Sequence, residues 1–188
     1  ATFTAGDART RFTIQSISKV LALAYVMTER GEDAVFSRVG KEPTGDPFNS
    51  IIRLETSASR KPFNPLINAG AIVVSGLMPG SSPEDRGARF RSFVGRLLGR
   101  DDVGRDDGVY ESEKATAARN RSIACFLKEL RILPGVVEEK LDVYFRQCAV
   151  SVDAVDLERV GAILAMDGLD PVRGERVLAA RTARVCKG

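Results

Sequence analysis

Ser16 and Lys19 lie three residues apart in the stretch Phe12-Thr-Ile-Gln-Ser-Ile-Ser-Lys-Val20. A serine followed three positions later by a lysine, at the start of a helix, suits a hydroxyl nucleophile activated by an amine. The three-residue step leaves both side chains as neighbours on one helix face. The helix N-terminus offers unpaired backbone N–H groups and the positive end of its dipole, and both favour an oxyanion forming on a substrate carbonyl. The 188-residue chain contains no histidine. A Ser-His-Asp triad and any histidine-based metal site are therefore excluded, and lysine is the available base. The same pattern also fits an ordinary N-cap serine with a lysine after it. What favours chemistry is the run that follows, Val20-Leu-Ala-Leu-Ala-Tyr-Val-Met27, which marks a helix buried on most sides. A lysine at the head of such a helix is costly to desolvate, and desolvation lowers its pKa toward what a general base requires.

The elements that must position this pair are mostly helical. Arg11 to Ile14 alternates like a strand, and Ala1 to Thr13, with a turn at Gly6-Asp7, reads as the end of a hairpin. The first helix runs from Ser16 to Arg30 and stops at Gly31. A loop-rich stretch follows, with four of the eight prolines between Pro43 and Pro65. Asn68 to Leu77 is small and apolar and begins a buried helix. Pro79 to Gly87 reads as a linker, Ala88 to Leu98 as a helix, and Gly99 to Gly108 as a polar connection. Glu111 to Leu130 is one long helix and Val136 to Cys148 another. Ser151 to Asp153 caps a last helix ending near Met166, before a turn at Asp167-Gly168.

Composition narrows the class. A hydrophobic content of 44% and a charged content of 28% are ordinary for a single globular domain. Twenty-eight basic residues against 25 acidic ones leave a net charge of +3. The charges are interspersed, with no basic stripe carrying aromatics, so nucleic-acid binding is not expected. Three cysteines, Cys125, Cys148 and Cys186, are an odd count without paired spacing, which argues against a disulfide framework. Cys125 and Cys148 sit in apolar helical stretches and read as core thiols. No apolar run reaches spanning length and no signal-peptide pattern appears. The expectation is a reduced, cytoplasmic setting without a membrane partner.

The flanking blocks are long and ordered. Gln15-Ser-Ile-Ser-Lys19 is followed by Arg30-Gly-Glu-Asp33, Phe36-Ser-Arg-Val-Gly40, Glu42-Pro-Thr-Gly-Asp-Pro-Phe-Asn-Ser50 and Asn64-Pro-Leu-Ile-Asn-Ala-Gly-Ala-Ile72. Then come Glu111-Ser-Glu-Lys114, Arg119-Asn-Arg121, Leu141-Asp-Val-Tyr-Phe-Arg-Gln-Cys148 and Gly174-Glu-Arg-Val-Leu178. Together they resemble the serine-dependent glutaminases of the β-lactamase and transpeptidase superfamily.

The resemblance implies an α+β fold seen here as a mostly helical, single partial domain over residues 1–188, with most of the antiparallel sheet missing. It implies that the chain is truncated at both ends and, taken alone, inactive. For the complete protein it implies hydrolysis of L-glutamine to L-glutamate and ammonia, without metal or organic cofactor, in a homodimer or homotetramer. Ser16 would be the nucleophile and Lys19 the base, with Ser16 N–H as half of an oxyanion hole. Asn68, Glu113, Asn120 and Tyr144 would bind substrate, Glu113 taking its ammonium. Spacing alone leaves other readings open. Asn68 could tie a loop to a helix start, Glu113 could pair with Lys114 or Arg119, and Tyr144 could be core packing. A penicillin-interacting serine acyltransferase is an alternative, although no Ser-Asp-Asn or Lys-Thr-Gly element is present. An inactive chain with a structural or assembly role is another.

Overall fold

The computed structural model describes residues 3–56 and 60–187. Among them are ten α-helices, and their buried faces meet in one core. Strand β1 (Phe12–Thr13) leads through a 3-10 turn at Gln15–Ile17 into α1 (Ser18–Arg30). Leu21, Leu23, Val26 and Met27 of α1 are each 5% exposed or less. Burying such side chains stabilises by about 1.5–3 kcal/mol apiece. Gly31, at φ 82°, ends the helix in a conformation only glycine adopts freely. Short α2 (Glu32–Phe36) and α3 (Ile52–Thr56) follow, and then α4 (Asn68–Gly76), whose first eight residues are all buried.

Helix α5 (Pro83–Leu98) starts inside the stretch read as a linker. Ser82 accepts the Asp85 N–H as N-cap, and Pro83 occupies the first turn, where its missing N–H costs nothing. The expected long helix over 111–130 is two helices, α6 (Asp107–Thr116) and α7 (Ala118–Glu129), broken at Ala117. Helix α8 (Val137–Cys148) is buried along its second half and packs against α1, α4, α5, α6 and α7. It is the hub of the core. The Asp142 carboxylate on α8 accepts from Tyr110 of α6 and from Arg146, which in turn reaches Glu84 of α5.

Strand β2 (Ser151–Val152) follows α8 and pairs antiparallel with β1, Phe12 opposite Val152 and Thr13 opposite Ser151. The expected hairpin ending at Thr13 is thus not the partner of β1. Its register is closed by a strand 140 residues away, Phe12 to Val152, which no local turn signal announces. Asp153 and Asp156 form a capping box for α9 (Ala154–Ala165), satisfying two orphan N–H groups at once. Helix α9 is not the last element. A hairpin of β3 (Leu169–Asp170) and β4 (Glu175–Arg176) follows, then α10 (Ala180–Lys187), which packs on α1 and α9. All three cysteines are free. Cys148 and Cys186 are buried, but Cys125 is exposed, on the outer face of α7. No helix among the described residues is long and apolar enough to cross a membrane.

Candidate active site

The turn that carries Ser16 is held from both sides. Upstream, the Ile14 N–H donates to Val150 O at 2.9 Å, continuing the β1–β2 ladder. Downstream, Ser18 opens α1 and is fully buried. Between them Gln15 sits at φ 45°, a left-handed conformation that strains a non-glycine residue. Backbone of this kind costs on the order of 1–3 kcal/mol and persists only where surrounding structure enforces it. Ser16 lies in the middle of this 3-10 turn, two residues before the first α-helical position, and is exposed. The expected single helix from Ser16 is thus a tight turn followed by a helix.

Lys19 is 4% exposed. Its Nζ donates to Asn68 Oδ1 at 2.7 Å and stands 5.4 Å from the centre of the Phe48 ring. Burial lowers its pKa, and the nearby Cys148 thiol opposes that shift only in part. A buried amine with one neutral acceptor can lose its proton far more readily than a solvated lysine. Asn68, at the start of α4, passes the connection on. Its Nδ2 donates to Asn120 Oδ1 at 3.0 Å, and its backbone N–H donates to Phe48 O at 2.8 Å. Gly70 lets this turn approach the preceding loop, since a Cβ there would meet Asn64 O at 2.0 Å.

Tyr144 is buried on α8, with its ring edge-on to Phe145. Burial, together with the Cys148 and Glu113 charges, holds the phenol well above its ordinary range. The Cys148 thiol is pushed up to about 11, chiefly by burial and also by the Glu113 carboxylate. Glu113 therefore faces Tyr144 and Cys148 from α6. It forms no ion pair with Lys114 or Arg119. Lys114 bonds Tyr110 and Asp142, and Arg119 donates to Asn49 O.

The six residues singled out from the sequence thus come from the 3-10 turn, α1, α4, α6, α7 and α8. Lys19, Asn68 and Asn120 are directly hydrogen-bonded in a line. Glu113 and Tyr144 approach one another at Cys148. Sequence reasoning did not single out Phe48, whose ring covers Lys19, although it lies in the block Glu42–Ser50. It also missed Ser18, Gln147 and Cys148, which lie behind the pair. A cavity of about 690 Å³ is lined by Leu23, Phe36, Phe48, Ile67 and Val185, so it shares Phe48 with the surroundings of Lys19. Its one thiol, Cys186, is pushed by burial to about 12, and neither Ser16 nor Lys19 lines it, so chemistry is not placed there. No group of three or more Cys, Asp or Glu placed to hold a metal ion occurs among the described residues.

Comparison with known proteins decides the family. The glutaminase family model matches residues 1–188. The chain belongs to the glutaminase family. It is 48% identical over 183 residues to Glutaminase 2 of Clostridium perfringens, covering 97% of this chain and 60% of that one. The glutaminase of Shouchella clausii is 47% identical over 185 residues, with 98% and 60% covered. This glutaminase-family chain therefore spans about 60% of the length of the curated relatives it matches. Among solved structures, a probable glutaminase of Bacillus subtilis superposes with a TM-score of 0.93 at 44% identity, over 97% of this chain and 58% of that one. A covalent complex of a Bacillus subtilis glutaminase with 5-oxo-L-norleucine, formed by reaction with 6-diazo-5-oxo-L-norleucine, superposes with a TM-score of 0.84 at 38% identity, covering 97% and 57%.

Proposed function

We propose that the complete protein containing this chain hydrolyses L-glutamine to L-glutamate and ammonia through a glutamyl ester on Ser16. The observation that carries the reading is the buried Lys19 amine, bonded to a neutral amide one turn from an exposed serine on a strained turn. Ser16 Oγ attacks the side-chain carboxamide carbon as its proton passes to Lys19 Nζ. The tetrahedral oxyanion is held by the Ser16 N–H and a second donor. Lys19 then protonates the departing nitrogen, the C–N bond breaks, and ammonia leaves. Water gives a proton to Lys19 as it attacks the ester carbon, the bond to Ser16 Oγ breaks, Lys19 returns the proton to Oγ, and glutamate leaves. Asn68 and Asn120 hydrogen-bond the substrate, Tyr144 reaches it from α8, and the Glu113 carboxylate takes its ammonium.

The same proposal extends to the fold and its setting. The helical body would form the larger part of a β-lactamase and transpeptidase-like domain. It would work as a homodimer or homotetramer in the cytoplasm, with no metal or organic cofactor. The covalent adduct formed by a relative with a diazo-ketone analogue of glutamine supports a nucleophilic mechanism in this family. The test uses the complete protein. Ser16→Ala and Lys19→Ala should each remove nearly all ammonia release while leaving the melting temperature close to that of the parent. The diazo-ketone 6-diazo-5-oxo-L-norleucine should add covalently to Ser16, read by peptide mass spectrometry. Normal turnover by Ser16→Ala, or an adduct on another residue, overturns the reading.

A further inference from the structure

We infer that Ser18 is a positioning residue for the Ser16–Lys19 pair, acting through Gln147 and Cys148 at the C-terminal end of α8. The inference rests on the reaction proposed above, which gives Ser18 no task. Ser18 is 0% exposed. Its hydroxyl donates to Cys148 Sγ at 3.8 Å and accepts from Gln147 Nε2 at 3.4 Å. Gln147 is 1% exposed, and its Oε1 accepts from Ser75 Oγ of α4 at 2.9 Å. Ser75 also lies 2.8 Å from Ala71 O, so its single proton serves two acceptors. Three helices are thereby tied by side chains with no route to water.

Such a network is costly unless complete, because each unpaired buried group forfeits about 1–3 kcal/mol. Nothing in the packing of α1 itself calls for a hydroxyl at position 18, since Leu21 to Met27 already bury the helix. What does call for one is the turn before it. No side chain caps either the 3-10 turn or α1. Gln15 is strained, and Ser16 and Ile17 are exposed. The turn is gripped upstream by Ile14 N–H on Val150 O and downstream by Ser18 on Gln147 and Cys148. Both grips belong to the four residues Gln147–Val150. Ser16 sits between them, and Lys19 follows directly on the helix that Ser18 anchors. Releasing the downstream grip lets the strained turn relax and carries Ser16 away from Lys19. It also admits water beside Lys19, weakening the desolvation that lowers its pKa.

The test uses Ser18→Ala, Gln147→Leu and the double variant in the complete protein. Rates are expressed per site that reacts with 6-diazo-5-oxo-L-norleucine, so that unfolded protein does not count. A displacement of about 1 Å in a reacting pair costs on the order of 10²-fold. We expect kcat to fall by about 10- to 100-fold with KM for glutamine little changed. The acid limb of the kcat profile should move to higher pH, and the double variant should be no slower than the slower single one. The adduct should still form on Ser16. An unchanged kcat per reactive site with an unchanged pH profile overturns the inference, as does a loss confined to the melting temperature. Loss of the adduct in Ser18→Ala, with Ser16→Ala still labelled, would make Ser18 the nucleophile and overturn it too. Turnover by Ser16→Ala fails the proposed reaction instead, so the two failures are separable.

Discussion

Replacing Asn68 with aspartate puts a carboxylate where an amide oxygen now accepts from Lys19 Nζ at 2.7 Å. The side chains are nearly isosteric, so the change is one of charge. At 4 Å and an effective dielectric constant near 20, a carboxylate–ammonium pair is worth about 4 kcal/mol. That favours protonated Lys19 and removes the neutral amine that the reaction needs. At 1.36 kcal/mol per tenfold, the full effect is close to three decades of rate at fixed pH. Burying the new carboxylate, which takes over a position only 8% exposed, offsets part of this. The expected loss of kcat at neutral pH is therefore on the order of 10²-fold.

The sign of the pH dependence follows from the same charge. Burial now lowers the Lys19 pKa, so the amine deprotonates below the ordinary lysine range. The new carboxylate raises it, so the acid limb of kcat moves to higher pH and activity partly recovers in alkaline buffer. Asn68→Ala is the control. It removes the hydrogen bonds to Lys19 and Asn120 without adding charge, so it should lower the rate with little alkaline recovery. The assay is initial ammonia release against pH at saturating glutamine, which separates the limb from any weakening of substrate binding. An Asn68→Asp enzyme with the parent's pH profile would refute the argument that Lys19 acts as a neutral base beside Asn68.

Two further outcomes are expected. Glu113→Gln keeps shape and removes charge. It should raise KM for glutamine by about 10- to 100-fold, the equivalent of 1.5–3 kcal/mol for a charged hydrogen bond, and unchanged KM and kcat would exclude a role in binding the ammonium. Asp170 is fully buried, and burial alone would raise its pKa, yet bonds from Arg159, the Val172 N–H and Arg173 outweigh it and hold the carboxyl well below its usual range. A depressed folded pKa means stability fully present above the unfolded value, near 3.9, and lost as pH falls below it. Denaturant midpoints for Asp170→Asn should be lower than the parent's at neutral pH, with the gap closing below about pH 4; a constant gap would contradict this linkage.

Local signals were enough for the elements nearest the chemistry and not for their joints. The apolar run Val20–Met27 and the small residues Asn68–Leu77 announced α1 and α4 because burial on most sides writes itself into composition. Cys125 was misjudged as core because α7 is amphipathic, and its position lies on the outer face of a helix that buries Ile123, Ala124 and Leu127. The break at Ala117 had no sequence signal, since Thr116-Ala-Ala118 contains the best helix former twice. It is stabilised by side chains on either side of it. The Lys114 carbonyl, left open by the break, is taken by Arg121 Nη2 at 2.9 Å, and the Thr116 hydroxyl bonds Ser112 O. Ser18, Gln147 and Ser75 were invisible for another reason, because their partners lie 129 and 72 residues apart in the chain.

The break matters to the site. A straight helix would stack Glu113 and Asn120 on one face about 10 Å apart along a single axis, seven residues at 1.5 Å each. With α6 and α7 separate, Glu113 bears on Tyr144 and Cys148 while Asn120 meets Asn68. The carboxylate is thereby kept out of the hydrogen-bonded line from Asn120 through Asn68 to Lys19. An anion in that line would raise the pKa of Lys19, as Asn68→Asp is expected to do. In the proposed reaction, splitting the helix would let one site hold a negative charge for the substrate ammonium beside a neutral amine for catalysis.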